Sequence, residues 1–265
     1  MVTIDHSLCR RDGMCKNVCP MGLFEVDNEG FPLFRPGAAE TCIACGHCMA
    51  VCHQDALQHG KLPKTDAPVI DTALMPSPEA TAQLLRIRRS IREFRPEPVP
   101  EKMIRGAIEA ARWAPTAVNC QPVHWLVITD PAEVKALAGQ VVEFLKQSSG
   151  LPSRYAAFVK EWEKGNDLIL RNAPHLIVLY AADDWAWSTV DCTITLTQFE
   201  LAAVAQGFGT CWAGFLMWAA REHAPIREAL GIPKGHGVYG AMMMGLPRHR
   251  YYRSPPREAA KVEWR

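Results

Sequence analysis

The sequence predicts an α+β chain in two parts: a small cysteine-rich unit of short strands and turns, then a larger unit in which helices and strands alternate irregularly. Three observations lead there. Seven of the ten cysteines fall between Cys9 and Cys52. Four prolines fall between Gly60 and Pro78, which argues for an extended, semi-rigid connector. Beyond it the helix and strand patterns follow no strict βαβ repetition. The expected division is residues 1–62, a proline-rich linker over 63–79, and residues 80–265 with a C-terminal tail.

The elements of the larger unit follow in order. Residues 79–89 read as a helix, and Pro100-Glu101 opens another that runs to about Trp113. His124 to Thr129 is rich in β-formers. Asp130-Pro131-Ala132-Glu133 supplies a capping carboxylate, a proline at the first helical position and a glutamate three residues after the cap, opening a helix to about Gln147. His175 to Ala181 is a second strand. A long Ala-rich helix from about Val190 ends at Gln206, where Gly207 suits a C-cap. Gly237 to Gly245 is a third strand.

Composition narrows the functional classes. Hydrophobic residues make up 48% and charged residues 22%, and the formal net charge is +1, so nothing global points to nucleic acid or to an acidic membrane surface. The most apolar stretch, Leu201 to Ala220, holds three glycines and Gln206 and reads as buried core, not as a membrane span. No basic segment followed by an apolar one marks the first residues, and a soluble cytoplasmic protein is expected.

Cysteines this dense in a cytosol-like sequence suggest metal ligation rather than disulfides. The second run is Cys42-x2-Cys45-x2-Cys48-x3-Cys52, a spacing whose thiolates wrap a compact loop round an iron–sulfur cubane while the fourth cysteine turns toward another cluster. The first run is Cys9-x5-Cys15-x3-Cys19-Pro20, with Asp12 where a further cysteine would fall. Zinc sites also use Cys-x2-Cys, but as separated pairs closing on four ligands. Asp12 also suits a solvated turn before Gly13. Together the runs resemble the two-cluster bacterial ferredoxins, with two departures: Asp12 replaces a cysteine and His53 replaces a proline. The resemblance implies crossed ligation. Cys19, Cys42, Cys45 and Cys48 would hold a 4Fe-4S cluster. Cys9, Cys15 and Cys52 would hold the other, with Asp12 either supplying a fourth ligand or leaving a 3Fe-4S centre.

In the larger unit Arg86, Arg88, Arg89, Arg92 and Arg95 surround Ser90, a set of guanidinium forks and a hydroxyl suited to phosphate, or else a solvated helix face. Asn119 and Gln121 lie in a loop before a strand, where amides can read a heterocycle's edge. Gly207-Phe208-Gly209-Thr210-Cys211-Trp212-Ala213-Gly214 has glycines that let backbone approach a ligand. The order Arg88-Arg89-Ser90-Ile91-Arg92-Glu93-Phe94, Ala114-Pro115, Asn119-x-Gln121-Pro122, Gly207-x-Gly209-Thr210-x-Trp212 and Gly245-x-Pro247 resembles the nitroreductase-like FMN flavoproteins over about residues 80–257. The resemblance implies that Arg88, Arg89 and Ser90 contact the FMN phosphate and ribityl groups, with Arg92 nearby. It implies that Asn119 and Gln121 bond the isoalloxazine edge, that Ala213 and Gly214 supply backbone contacts, and that Arg253, with Arg250 second, reaches the phosphate. It also implies a homodimer. Thr116 stands where many members have serine.

No dedicated catalytic proton donor stands out, so the chemistry is expected to be the flavin's. The expected function is an oxidoreductase that takes electrons from a ferredoxin-like or other low-potential donor through its clusters to FMN and on to a small electron-poor acceptor of nitro, quinone or enone type. The alternatives are a non-catalytic electron-transfer or redox-sensing protein, a flavin-handling protein, and an NAD(P)H-dependent reductase.

Overall fold

The computed structural model describes residues 1–148 and 152–265. The chain separates into two compact units, Met1–Met75 with Ala117–Cys120, and Pro76–Thr116 with Gln121–Arg265. The first boundary falls inside the expected linker, whose start is held to the first unit where Lys64 Nζ donates to Asp55 O (2.7 Å). Four residues from the middle of the sequence, Ala117–Cys120, pack with the first unit although both of their chain neighbours belong to the second.

The first unit has two antiparallel ribbons. β1 (Val2–Ile4) pairs with β4 (Leu57–His59), and β2 (Phe24–Val26) pairs with β3 (Pro32–Phe34). Three single-turn helices, α1 (Met14–Asn17), α2 (Ala38–Thr41) and α3 (His47–Ala50), each follow a glycine in the left-handed region. None was foreseen, because four residues carry no periodicity. Val2, Phe24 and Leu57 form a small core with the buried Cys15. So thin a core gives short ribbons and single turns little stability of their own.

In the second unit α4 (Pro78–Ile87) and α5 (Glu101–Ala111) precede β5 (His124–Ile128), α6 (Pro131–Gln147) and α7 (Ser153–Glu163). Then come β6 (His175–Ala182), α8 (Ser188–Gln206), β7 (Gly209–Trp212), α9 (Gly214–Glu222), α10 (Ala224–Ala229) and β8 (His236–Gly245). The strands form one antiparallel sheet in the order β5-β6-β8-β7. Asp130 caps α6 through Ala132 N (2.8 Å), and Gly207, at φ 90°, closes α8 as its C-cap. α7, α9 and α10 were not anticipated.

Helices cover both faces of the sheet. Alternate residues of β6 divide between the two cores: Leu176 and Val178 pack with α6, α9 and α10, while Ile177, Leu179 and Ala181 pack with α5 and α8. This double cover explains the unbroken apolar run in β6.

Within the glycine-rich segment Gly207–Gly214, Gly207 and Gly209 serve the packing of the fold, while Gly214 faces open space. Gly209 begins the edge strand β7, where a Cβ would overlap Ile91. Ser90 bridges Thr210, Ile91 N donates to Thr210 O (2.8 Å), and Phe94 bridges Pro247. The 90–95 segment therefore lies along β7 and the end of β8, with glycines making room for it. A Cβ on Gly245 would stand 2.7 Å from Phe94 Cδ1 and 2.9 Å from Pro174 Cδ. Gly245→Ala is accordingly expected to cost about 1–3 kcal/mol through overpacking, read as a lower denaturation midpoint with an unchanged denaturant slope.

Candidate functional site

The cysteines of the first unit surround two cavities. Cys19, Cys42, Cys45 and Cys48 line one, with Phe24, Phe34 and His59 among its walls. Cys9, Asp12, Cys15 and Cys52 line the other, with Met14, Pro32 and Leu57. Each set combines cysteines from both runs, as crossed ligation requires. Among the described residues no three His, Cys, Asp or Glu side chains form a group able to hold one metal ion. Thiolates spread around a cavity suit a cluster, in which each takes its own iron.

Burial pushes the free Cys48 thiol up to about 11 and raises that of Cys15. Both must lose a proton on binding metal, so loading competes with protons. Backbone N–H groups point at other sulfurs, Leu23 N at Cys19 Sγ (3.4 Å), Arg11 N at Cys9 Sγ (3.4 Å) and Ala56 N at Cys52 Sγ (3.3 Å).

The two departures from the ferredoxin pattern lie side by side: Asp12 Oδ2 is 3.8 Å from His53 Nδ1. Asp12 Oδ1 accepts from Met14 N (3.0 Å), the Asx-turn geometry expected of a turn carboxylate.

The loop 116–121 is strained. Val118, Asn119 and Gln121 have φ of 46°, 55° and 50°, and a β-branched residue rarely occupies that region. Asn119 Nδ2 donates to Ala44 O (2.9 Å) and Ile43 O (3.3 Å), the backbone between Cys42 and Cys45. Two carbonyl acceptors fix the orientation of the amide and leave Oδ1 as its free acceptor. Gln121 is exposed, and its N–H donates to Thr116 Oγ1 (3.0 Å).

In the second unit Arg88 follows α4 as its C-cap. Its Nη1 donates to Glu200 Oε1 (3.0 Å), a carboxylate of α8 that is 3% exposed, and Thr210 Oγ1 reaches the same oxygen at 3.4 Å. Glu200 escaped the sequence reading. Its signal was an acid in a helix otherwise nearly free of charge; Asp191, the other acid of α8, is also buried and accepts from Trp185 Nε1 (2.8 Å).

Arg89 stacks on the Tyr251 ring at 3.7 Å, and its Nε is buried with no hydrogen-bond partner. A buried orphan donor calls for an acceptor, which a phosphate supplies. Ser254 Oγ donates to Arg86 O (3.2 Å), so the tail from Tyr251 to Ser254 lies against the arginine segment. Arg250 sits 5.3 Å over Tyr252, and Arg92 and Arg253 are exposed. Ala213 N donates to Ala241 O (2.8 Å), so this N–H is already spent on the sheet. Gly214 opens α9, whose first N–H groups have no partner within the helix. Trp218 packs edge-on against Phe144 (5.1 Å) as part of the core.

A family model described as the nitroreductase family matches residues 85–246. This chain belongs to the nitroreductase family. A second model, a 4Fe-4S dicluster domain, matches residues 7–57. The chain is therefore an oxidoreductase of the nitroreductase family carrying a two-cluster iron–sulfur domain. It is 27% identical over 215 residues to an NADH dehydrogenase of Thermus thermophilus, covering 69% of this chain and 93% of that one. It is 25% identical over 203 residues to a nitrobenzene nitroreductase of Ectopseudomonas oleovorans, covering 64% and 88%. A nitroreductase from Bacteroides fragilis, solved with bound FMN, shares the fold at TM-score 0.58 and 20% identity, covering 69% and 96%. No described helix is long and apolar enough to cross a membrane.

Glu200→Gln keeps the shape of the side chain and removes the charge that fixes Arg88. Flavin affinity is expected to fall by roughly 1–2 kcal/mol, as one charge-assisted bond loses its positioning. Fluorescence titration of the apoprotein with FMN measures it, and equal affinities would leave Glu200 only a structural role.

Proposed function

We propose that this nitroreductase-family oxidoreductase is an iron–sulfur flavoprotein that takes electrons from a low-potential one-electron donor and delivers them to a small electron-poor acceptor of nitro, quinone or enone type. Cys19, Cys42, Cys45 and Cys48 would hold a 4Fe-4S cluster; Cys9, Cys15 and Cys52 would hold the other, with Asp12 as fourth ligand or beside a 3Fe-4S centre. Arg88, Arg89 and Ser90 would take the FMN phosphate, with Arg253, Arg250 and Arg92 as the neighbouring cations. Gln121, Asn119 Oδ1 and the Gly214 backbone would meet the rest of the cofactor; Ala213 would contribute only through its remaining backbone surface. When bound, the clusters supply single electrons and FMN supplies two-electron chemistry. The assembly would be a homodimer working in the cytoplasm.

One observation carries the link between the halves. Ala117–Cys120 packs with the cluster unit, yet is covalently continuous at both ends with the unit that bears the flavin candidates. Its Asn119 grips the backbone of the cysteine loop at Ile43 and Ala44.

The NADH dehydrogenase among the relatives favours a second reading, in which a nicotinamide reduces the flavin directly. One variant distinguishes the two. Cys45→Ser in the full chain damages one cluster and leaves every proposed flavin contact in place. Stopped-flow bleaching of the flavin by a reduced ferredoxin is expected to slow by at least about tenfold, while bleaching by dithionite is unchanged. Undiminished reduction by ferredoxin, or rapid reduction of both proteins by NADH, would favour the nicotinamide reading.

A further inference from the structure

Four hydrogen bonds reach the sulfurs of the seven N-terminal cysteines among the described residues, and three come from backbone N–H groups. The fourth involves a side chain, His59, whose Nε2 lies 3.5 Å from Cys42 Sγ. His59 ends β4, stands opposite Val2 of β1 and is 5% exposed. Its other ring nitrogen settles the direction of the bond. Lys61 N lies 3.1 Å from Nδ1, and a backbone N–H can only donate. Nδ1 therefore presents its lone pair, and the ring proton sits on Nε2, aimed at the sulfur.

We propose that His59 tunes one cluster selectively, its Nε2–H bond to the Cys42 thiolate raising the reduction potential of the cluster held by Cys19, Cys42, Cys45 and Cys48. This rests on the reading of Cys42 as a cluster ligand. Reduction adds negative charge that spreads onto the ligand sulfurs, and a donor to one of them stabilises the reduced state. The donor is fixed beforehand by Lys61 N–H and by burial, so little reorganisation is needed when the electron arrives. No side chain does the same for Cys9, Cys15 or Cys52 among the described hydrogen bonds, so the two clusters are made unequal. The favoured cluster is the one whose Cys42–Cys45 loop is gripped by Asn119.

The test is an EPR-monitored redox titration of the anaerobic full-length protein, with iron and sulfide measured on the same samples. His59→Leu removes the donor. The midpoint of one cluster, identified as the signal lost in Cys45→Ser, is expected to fall by about 59 mV, a tenfold change in a one-electron equilibrium. The other midpoint should stay in place. His59→Gln, which restores an N–H near the same position, should recover part of the shift. Fully loaded variants with unmoved midpoints, or with both midpoints moved equally, would overturn the proposal. Should His59→Leu fail to load, the wild-type protein supplies the answer. With 15N-histidine incorporated, the reduced Cys42 cluster should show a 15N hyperfine coupling, and its absence would refute the bond. Protein without iron and sulfide would instead refute the cluster reading itself.

Discussion

A carboxylate buried in an apolar helix has to be paired, and the pairing of Glu200 with Arg88 organises the larger unit around it. Breaking such a pair strands a charge and typically costs about 3–5 kcal/mol. The bond draws the C-terminal end of α4 onto α8 and brings Thr210 of β7 to the same oxygen. From there the 90–95 segment has one course, along β7 and the end of β8, and Gly209 and Gly245 are the residues that admit it. Arg89 follows in register, with its orphan Nε held in the interior. A pair that serves packing thus also fixes where the arginines of the proposed phosphate site stand.

The smaller unit solves a different problem. Its core is too thin to hold short ribbons and single turns together, so thiolates that take up clusters under the proposed function would also be its cross-links. Left-handed glycines at positions 13, 37 and 46 aim each single-turn helix. The Ala117–Cys120 loop, which packs in this unit, holds Val118 and Asn119 in a sparsely populated conformation. The structure accepts that strain while Asn119 makes two bonds to the cysteine loop.

Much of this was legible in the residues. The resemblance to two-cluster ferredoxins implied two ligand sets drawn from both cysteine runs, and each of those sets lines one cavity. Caps such as Asp130 and Gly207 placed helix ends because their chemistry is local. What stayed hidden was long-range. Nothing near Glu200 announces Arg88, which lies 112 residues away. The commitment of Ala213 N–H to β8 depends on strand register, and the role of Gly209 depends on where Ile91 arrives. The family resemblance assigned Asn119 to the isoalloxazine edge, but nothing in its neighbours foretold the bonds of its Nδ2 to the carbonyls of residues 43 and 44.

The most direct measurement is metal, acid-labile sulfide and flavin analysis of one anaerobically purified sample, with low-temperature EPR of the reduced protein. The arrangement of thiolates and arginines predicts non-covalent FMN together with sulfide and more iron per chain than one four-iron cluster contains, and two distinguishable paramagnetic centres. Zinc as the dominant metal without sulfide, or iron–sulfur protein with no flavin, would contradict it.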